Sequence, residues 1–198
     1  MVAYKEARRK ILGGDLLLFR RGDGWFSRLI EISGRSPYTH VGMAAWWGDD
    51  LMCIHTVWAR GGVADHLSEL VAKHPGRIEV RTICEAKRRK YKRAVAVEAM
   101  KRIIGKPYGK RAILAAACLH IPIMRWIFRP IRSDDANGDI PYCSAAVAKA
   151  ARIGGVDLVP NLADRYTEPG DIDRSAALTL KFVLEPDIVE AKDEPLPK

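Results

Sequence analysis

Two apolar runs joined by a tight turn restrict the chain to folds that contain an antiparallel hairpin. The runs cover residues 39–47 and 51–57, and Gly48-Asp49-Asp50 lies between them. Short runs rich in β-branched and aromatic residues, separated by a glycine-containing turn, are typical of paired strands. The midpoint between His40 and His55 falls between Trp47 and Gly48, close to this turn, so the two histidines can lie side by side on the paired strands.

The rest of the chain alternates strands and helices. Apolar patterns predict further strands at 16–19, 77–83 and 178–184. Helical spacing predicts helices at 25–32, 66–72, 86–104 and 144–153, and Gly61-Gly62 is taken as a chain break. This mixture indicates an α+β fold with a small antiparallel sheet or barrel packed against helices. We expect one domain over 1–186 and a flexible, proline-containing tail over 187–198.

Charge and composition narrow the class of protein. The 198 residues are 48% hydrophobic and 29% charged, as in an ordinary globular chain, but the net charge is +9. That charge predicts attraction to an anionic partner, such as lipid headgroups or cell-wall polymers. Nucleic acid is disfavoured, because no recognised motif is present and the basic run 87–93 contains only one aromatic residue, Tyr91.

Cys143 is the strongest candidate nucleophile. It stands in Tyr142-Cys143-Ser144-Ala145, where a polar turn gives way to a helix of small residues. Unpaired N–H groups and the helix dipole favour a thiolate at such a position and could hold an oxyanion. A small buried cysteine that packs the helix is the alternative on position alone. The sequence therefore predicts a lowered pKa for this thiol if it is catalytic.

The two histidines supply the rest of a candidate site. His40, at the start of a strand, can take the thiol proton, and His55 can fix the tautomer of His40. The alternative is that His40 is a structural histidine, hydrogen-bonded in the core. A zinc site built from His40, Cys53 and His55 is a weaker hypothesis, because the three residues follow no recognised metal-binding spacing. The sequence therefore predicts a protein that uses neither a metal ion nor a cofactor.

Five short motifs, taken in order, resemble the circularly permuted NlpC/P60 (YiiX-like) family of papain-like cysteine hydrolases. The motifs are Gly14-Asp15-Leu16-Leu17, Thr39-His40-Val41-Gly42-Met43, Met52-Cys53-Ile54-His55, Gly105-Lys106-Pro107-Tyr108-Gly109 and Tyr142-Cys143-Ser144-Ala145-Ala146-Val147. A sixth stretch, 164–172, looks like the closing motif of that group. As in the permuted family, the histidine strand comes before the cysteine helix.

The resemblance implies a papain-like fold and a division of roles. Cys143 would be the nucleophile, His40 the base and His55 the third, polar member. Tyr166 stands where the group carries a tyrosine near the cleft, and Tyr142 and Tyr108 lie within matching motifs. We expect these three tyrosines to contact the substrate.

The implied chemistry is acyl transfer through a thioester. The first candidate substrate is an amide of the peptidoglycan-peptide type, and the second is a lipid ester or amide, cleaved or transferred at a membrane. A non-catalytic binding module is a third interpretation. The basic run 87–93 and the apolar segment 112–132 favour peripheral association with an anionic membrane. The first residues lack the apolar core of a signal peptide, which favours a cytoplasmic location. The oligomeric state is not predicted.

Overall fold

The structure, a computed structural model, describes residues 1–20, 36–107 and 142–187. The predicted helix at 25–32, the apolar segment 112–132, Tyr108 and the tail from residue 188 lie outside these ranges. Within them, no helix is long and apolar enough to cross a membrane.

A seven-stranded sheet forms the frame of the molecule, in the order β1-β7-β6-β2-β3-β4-β5. All neighbours are antiparallel except β1 and β7, which are parallel. The sheet is not closed into a barrel, so β1 and β5 are its edges. The strands are β1 (Val2–Ala3), β2 (Leu16–Arg20), β3 (Tyr38–Trp47), β4 (Asp50–Val57), β5 (Gly61–His66), β6 (Ile78–Ile83) and β7 (Leu178–Glu185).

Helices cover both faces of this sheet. They are α1 (Tyr4–Ala7), α2 (Leu67–Lys73), α3 (Glu85–Arg88), α4 (Arg93–Lys101), α5 (Cys143–Ile153) and α6 (Pro169–Asp173). One core contains Leu16 and Leu18 with α4, α5 and α6, whereas the other contains Leu17 and Phe19 with α1 and α2. Because both faces are covered, β2 is a continuous apolar run and not an alternating one.

The predicted α+β class and the hairpin are confirmed. Gly48 has a φ of +57°, and Trp47 pairs with Asp50, so the turn contains two residues. The interpretation of Gly61-Gly62 as a chain break is wrong, because both glycines begin β5. Their missing side chains make room for a neighbouring segment: the N–H of Gly62 donates to the carbonyl of Lys106 at 2.9 Å. A β-carbon at either glycine would overlap that segment's backbone.

The single helix predicted at 86–104 is also wrong. Two helices, α3 and α4, are separated at residues 89–92. The buried Tyr91 hydroxyl donates to the carbonyl of Gly14 at 2.9 Å, and the N–H of Lys92 donates to the carbonyl of Gly154 at 2.7 Å. The Lys92 bond takes the place of a helical backbone bond, and the Tyr91 side chain holds the segment against Gly14.

Candidate active site

The hairpin brings the two predicted histidines into contact, but as diagonal neighbours: continuing the register in which Met43 faces Ile54, Gly42 and not His40 stands opposite His55. Nε2 of His40 lies 2.7 Å from Nδ1 of His55, and the ring centroids are 5.0 Å apart. Phe19, which is the partner of His40 on β2, packs edge-on against His40 at 5.1 Å between ring centroids. The same phenyl ring stacks on His55 at 6.3 Å. Phe19 therefore restricts both imidazoles to orientations in which they share one hydrogen bond.

Gly42 allows this close approach of β4 to β3. A β-carbon at this position would overlap the sulfur of Cys53 and lie 3.3 Å from the β-carbon of His55. Glycine is therefore needed here for space, and the Thr-His-Val-Gly-Met motif combines a histidine with the gap that admits its partner.

Cys143 begins α5, as predicted, and its sulfur reaches the edge of β3. The β3–β4 pairing ends at Met43 and Ile54. Two residues beyond that end, the N–H of Val41 is a hydrogen-bond donor to the Cys143 sulfur. Val41 directly follows His40, but successive strand side chains point to opposite faces. Val41 packs in the core with α5, whereas His40 packs on Phe19 of the other core, and the described residues show no direct contact between the Cys143 sulfur and the His40 ring. Ser144 anchors the start of α5 by donating its hydroxyl to the carbonyl of Thr167 at 2.6 Å.

The expected lowering of the Cys143 pKa is not observed. Burial raises the pKa of this thiol, although hydrogen bonds from the backbone N–H groups of Val41, Ser144 and Cys143 itself act in the opposite direction. The side chain is only 7% exposed. The helix start therefore supplies the donors that the sequence suggested, but desolvation of the thiolate outweighs them.

Both histidines are held in the neutral form. Burial, together with the nearby His55 and His74, lowers the pKa of His40 to about 3. Burial also lowers the pKa of His55, against the effect of its hydrogen bond with Asp65. The Cys143 thiol and both imidazoles are therefore uncharged near neutral pH.

Sequence analysis missed two charged residues that continue this chain of contacts. Nε2 of His55 lies 3.1 Å from Oδ2 of Asp65, on β5. Nη1 and Nη2 of Arg60 donate to the Asp65 carboxylate, at 3.0 and 2.7 Å respectively. Asp65 was overlooked because Gly61-Gly62 was taken as a break. Had β5 been recognised, strand alternation would have placed Asp65 on the same face as His55.

The tyrosines predicted to bind substrate occupy different environments. Tyr142 is buried and immediately precedes α5, with extended backbone. Tyr166 is partly exposed in a 3-10 turn (Asp164–Tyr166) that packs against α5, and the Arg165 guanidinium lies 4.7 Å from its ring centroid. Tyr108 lies outside the described residues. A substrate role for all three stays a prediction.

The closing motif at 164–172 supports the site structurally. Glu168 and Asp171 form a capping box at the start of α6, in which the N–H of Glu168 donates to Asp171 at 3.0 Å. At the other end of α6, Asp173 accepts hydrogen bonds from Arg81 at 2.7 Å and from Ser36 at 2.9 Å. These contacts fix the α6 segment against the sheet near the start of β3.

Comparison with known proteins identifies the fold. The sequence matches no protein-family model, and no curated protein matches it. Among solved structures, the metalloprotein YiiX from Escherichia coli O157:H7 matches with a TM-score of 0.59 and 19% sequence identity. The match covers 89% of this chain and 99% of that chain. The chain therefore has the YiiX-like fold that its motifs predicted.

Proposed function

We propose that the protein is a cysteine hydrolase that acts through a thioester on an amide bond. The observation that carries this proposal is the position of the Cys143 sulfur on the N–H of Val41, directly after His40, whose Nε2 is held by His55. With Nε2 occupied, Nδ1 is the His40 nitrogen left to accept a proton. Nucleophilic catalysis requires a nucleophile, a base and an orienting group, and the proposal adds that the Cys143 sulfur comes within hydrogen-bond reach of Nδ1 during the reaction.

The proposed reaction starts from two neutral groups. The Cys143 thiol proton moves to Nδ1 of His40 as the sulfur attacks the substrate carbonyl carbon. The tetrahedral intermediate collapses when the same proton passes to the leaving nitrogen, the carbon–nitrogen bond breaks, and a thioester remains. Water then attacks the thioester with His40 as base, the carbon–sulfur bond breaks, and the thiol regains its proton. Backbone N–H groups at the start of α5 are suited to stabilise the oxyanion.

Acylation of Cys143 is the direct test. The protein is mixed with p-nitrophenyl acetate, an activated ester, and its intact mass is followed with time. We expect one acetyl group on Cys143, which is lost when Cys143 is replaced with alanine and kept when Cys53, a buried residue of β4, is replaced. Equal acetylation of the Cys143→Ala protein would contradict the proposal and favour a non-catalytic binding module.

The substrate class needs a second experiment. A peptidoglycan-type peptide amide is the first candidate, and a lipid ester or amide, hydrolysed or transferred, is the second. The lipid candidate is favoured by the exposed basic residues Arg88, Arg89, Lys90 and Lys92. Arg93, from the same run, is not part of that surface, because it donates to the buried Asp15 at 2.8 Å. Muropeptides and anionic phospholipid vesicles, offered separately, distinguish the candidates by which one releases product.

Vesicle co-sedimentation tests the membrane candidate without catalysis. Vesicles that contain phosphatidylserine should bind the protein at low salt and release it as salt rises, because exposed charges are screened. No binding at low salt would exclude the membrane-associated alternative and leave the amide hydrolase.

A metal-dependent function is a poorer fit, although YiiX is described as a metalloprotein. The ring nitrogens of His40 and His55 face each other at hydrogen-bond distance and do not converge on a third point. Within residues 1–20, 36–107 and 142–187, no three histidine, cysteine or acidic residues are grouped to hold a metal ion. We therefore assign no step to a metal.

A further inference from the structure

β5 places the Asp65 carboxylate next to His55, at the end of the histidine pair, where its hydrogen bond can set which ring nitrogens carry protons. The Cα partner of His55 on β5 is Val63, and Asp65 lies two residues further along the same face. This diagonal position lets Oδ2 of Asp65 reach Nε2 of His55 at 3.1 Å, while Nδ1 of His55 contacts His40 at 2.7 Å. Asp65, His55 and His40 thus form one continuous row of hydrogen bonds.

We propose that Asp65, clamped by Arg60, is a positioning residue that sets the tautomers of both histidines so that His40 presents a free lone pair at Nδ1. The proposal rests on the proposed function, because a lone pair at that atom matters only if Cys143 must give up a proton. It assigns roles to two residues, Asp65 and Arg60, that do not touch the reacting atoms.

The proton positions follow from the donors and acceptors. An ionised carboxylate only accepts, so Nε2 of His55 must carry the proton that it shares with Asp65. Neutral His55 then has a lone pair on Nδ1, and His40 must donate to it from Nε2. Neutral His40 has one N–H, so its Nδ1 is left as an acceptor. Once Asp65 is ionised, the tautomer of each neutral histidine is therefore fixed by its hydrogen-bond partner.

Arg60 keeps Asp65 in the required state. Its two nitrogens bind one carboxylate oxygen each, Nη2 to Oδ1 at 2.7 Å and Nη1 to Oδ2 at 3.0 Å. Such a forked contact fixes orientation as well as charge. The hydrogen bond from Arg60 is the main cause that lowers the pKa of Asp65, and His55 contributes in the same direction. Arg60 is the more exposed partner, so it can be replaced without opening the core.

Replacement of Asp65 with asparagine should reverse both tautomers. Arg60 would hold the introduced amide by its oxygen, which turns the NH₂ group toward Nε2 of His55. His55 would then carry its proton on Nδ1, and His40 would carry its own on Nδ1 as well, with no lone pair left for the thiol. In serine proteases, an aspartate-to-asparagine change of this kind lowers kcat about 10⁴-fold by enforcing the wrong tautomer.

Nitrogen NMR of ¹⁵N-histidine-labelled protein reads these tautomers directly, and histidine replacements assign the signals of the five histidines. We expect protonated Nε2 and unprotonated Nδ1 on both His40 and His55, with the reverse pattern in Asp65→Asn. Acetylation of Cys143 should slow at least about tenfold in that variant. Glu69→Gln, an exposed acid-to-amide change, is the matched control and should alter neither reading.

The two hypotheses fail in different ways. Unchanged tautomers in Asp65→Asn, or Nδ1 of His40 protonated in the starting protein, would overturn the role of Asp65 whether or not Cys143 is acylated. The predicted tautomers in a protein that never acylates Cys143 would leave the hydrogen-bond row intact and refute the hydrolase.

Arg60 gives an independent test through the pH profile. The groups facing Asp65 are Arg60, His55 and, on the same strand as His55, Cys53. Arg60→Ala should raise the Asp65 pKa, so the acidic loss of Cys143 acetylation should begin at higher pH. Arg60→Lys, which keeps the charge, should shift the pH of this acidic loss by a smaller amount. Arg88→Ala, which removes an exposed Arg–Glu pair, should not shift it. An identical acidic limb in Arg60→Ala would overturn the clamp.

Discussion

At the scale of single residues, the protonation state of the Cys143 thiol is determined by its burial more than by its position at the start of a helix. Three backbone N–H groups favour the thiolate, but the sulfur is almost completely withdrawn from water. Papain's histidine-paired cysteine is an example of a strongly lowered thiol pKa. Cys143 differs from that example, because burial raises the pKa of its thiol and the His40 imidazole is neutral.

Alkylation measures this difference. Iodoacetamide reacts with the thiolate, and burial raises the Cys143 pKa, so the labelling rate at Cys143 should climb continuously from about pH 6 to about pH 9. Mass spectrometry of the Cys143 peptide gives the rate, and the Cys143→Ala protein gives the background. A rate that is already constant at pH 6 would show that the N–H groups outweigh burial.

His40 should make the folded protein sensitive to acid. Its folded pKa lies below the unfolded value, so the unfolded chain binds a proton that the folded chain does not bind between roughly pH 6.5 and pH 3. The free energy of unfolding should therefore fall as pH decreases through this window. Urea unfolding measures this free energy at about pH 7 and at about pH 4. The loss between the two pH values should be smaller in His40→Gln than in the starting protein. In His66→Gln, a change at an exposed histidine, the loss should equal that of the starting protein.

Residue-level features differ in how far they could be predicted. Cys143 at a helix start and the contact between His40 and His55 could be predicted because a helix start and a hairpin can be inferred from local sequence, whereas the exact register of the hairpin could not. Asp65 was not found, because its strand begins with two glycines whose role is to admit a distant segment. The direction of the Cys143 pKa shift was also missed, since it depends on how deeply α5 packs against the sheet. No local pattern encodes that depth.

At the scale of elements, the distance between β3 and β4 is set by Gly42. Replacement with alanine should destabilise the fold by about 1–3 kcal/mol, because the new methyl group would overlap the Cys53 sulfur. Chemical denaturation measures the change, and Gly13→Ala, where only ordinary contact is made, is the control. Adding Cys53→Ala should recover part of the loss. If Cys53→Ala recovers none of the lost stability, the new methyl group must clash with His55 and the β4 backbone and not with the Cys53 sulfur.

The helices were harder to predict than the sheet. The strands at 39–47 and 51–57 are adjacent in sequence, so the turn between them determines their pairing. The break between α3 and α4 instead depends on Gly14 and Gly154, which are distant from it in sequence and accept its hydrogen bonds. Helical spacing in 86–104 contained no sign of these partners.

At the scale of the whole molecule, a buried carboxylate ties the N-terminal segment to the far parts of the chain. Asp15 is fully buried and accepts hydrogen bonds from Arg93 at 2.8 Å, Lys181 at 3.1 Å and the N–H of Leu12 at 2.9 Å. The Gly-Asp-Leu-Leu motif therefore has a structural role here. It joins β2, α4 and β7 around one charge.

Removing that charge should be costly. Asp15→Ala leaves Arg93 and Lys181 without their shared partner, and breaking such a buried pair typically costs about 3–5 kcal/mol. Denaturant unfolding monitored by circular dichroism measures the loss. Glu85→Ala, which removes an exposed partner of Arg88, should change stability by no more than about 0.5 kcal/mol. Similar small effects for both variants would mean that water replaces the carboxylate.

The order of the strands separates the candidate site from the weakest edge of the sheet. β1 is held to β7 by two residue pairs, and β7, β6 and β2 stand between it and β3. Edge strands with so few contacts open locally at little free-energy cost. Amide protons in β1 should therefore exchange with solvent early, while those of β3 and β4 remain protected. Fraying at the N-terminal edge would leave the geometry around Cys143 undisturbed.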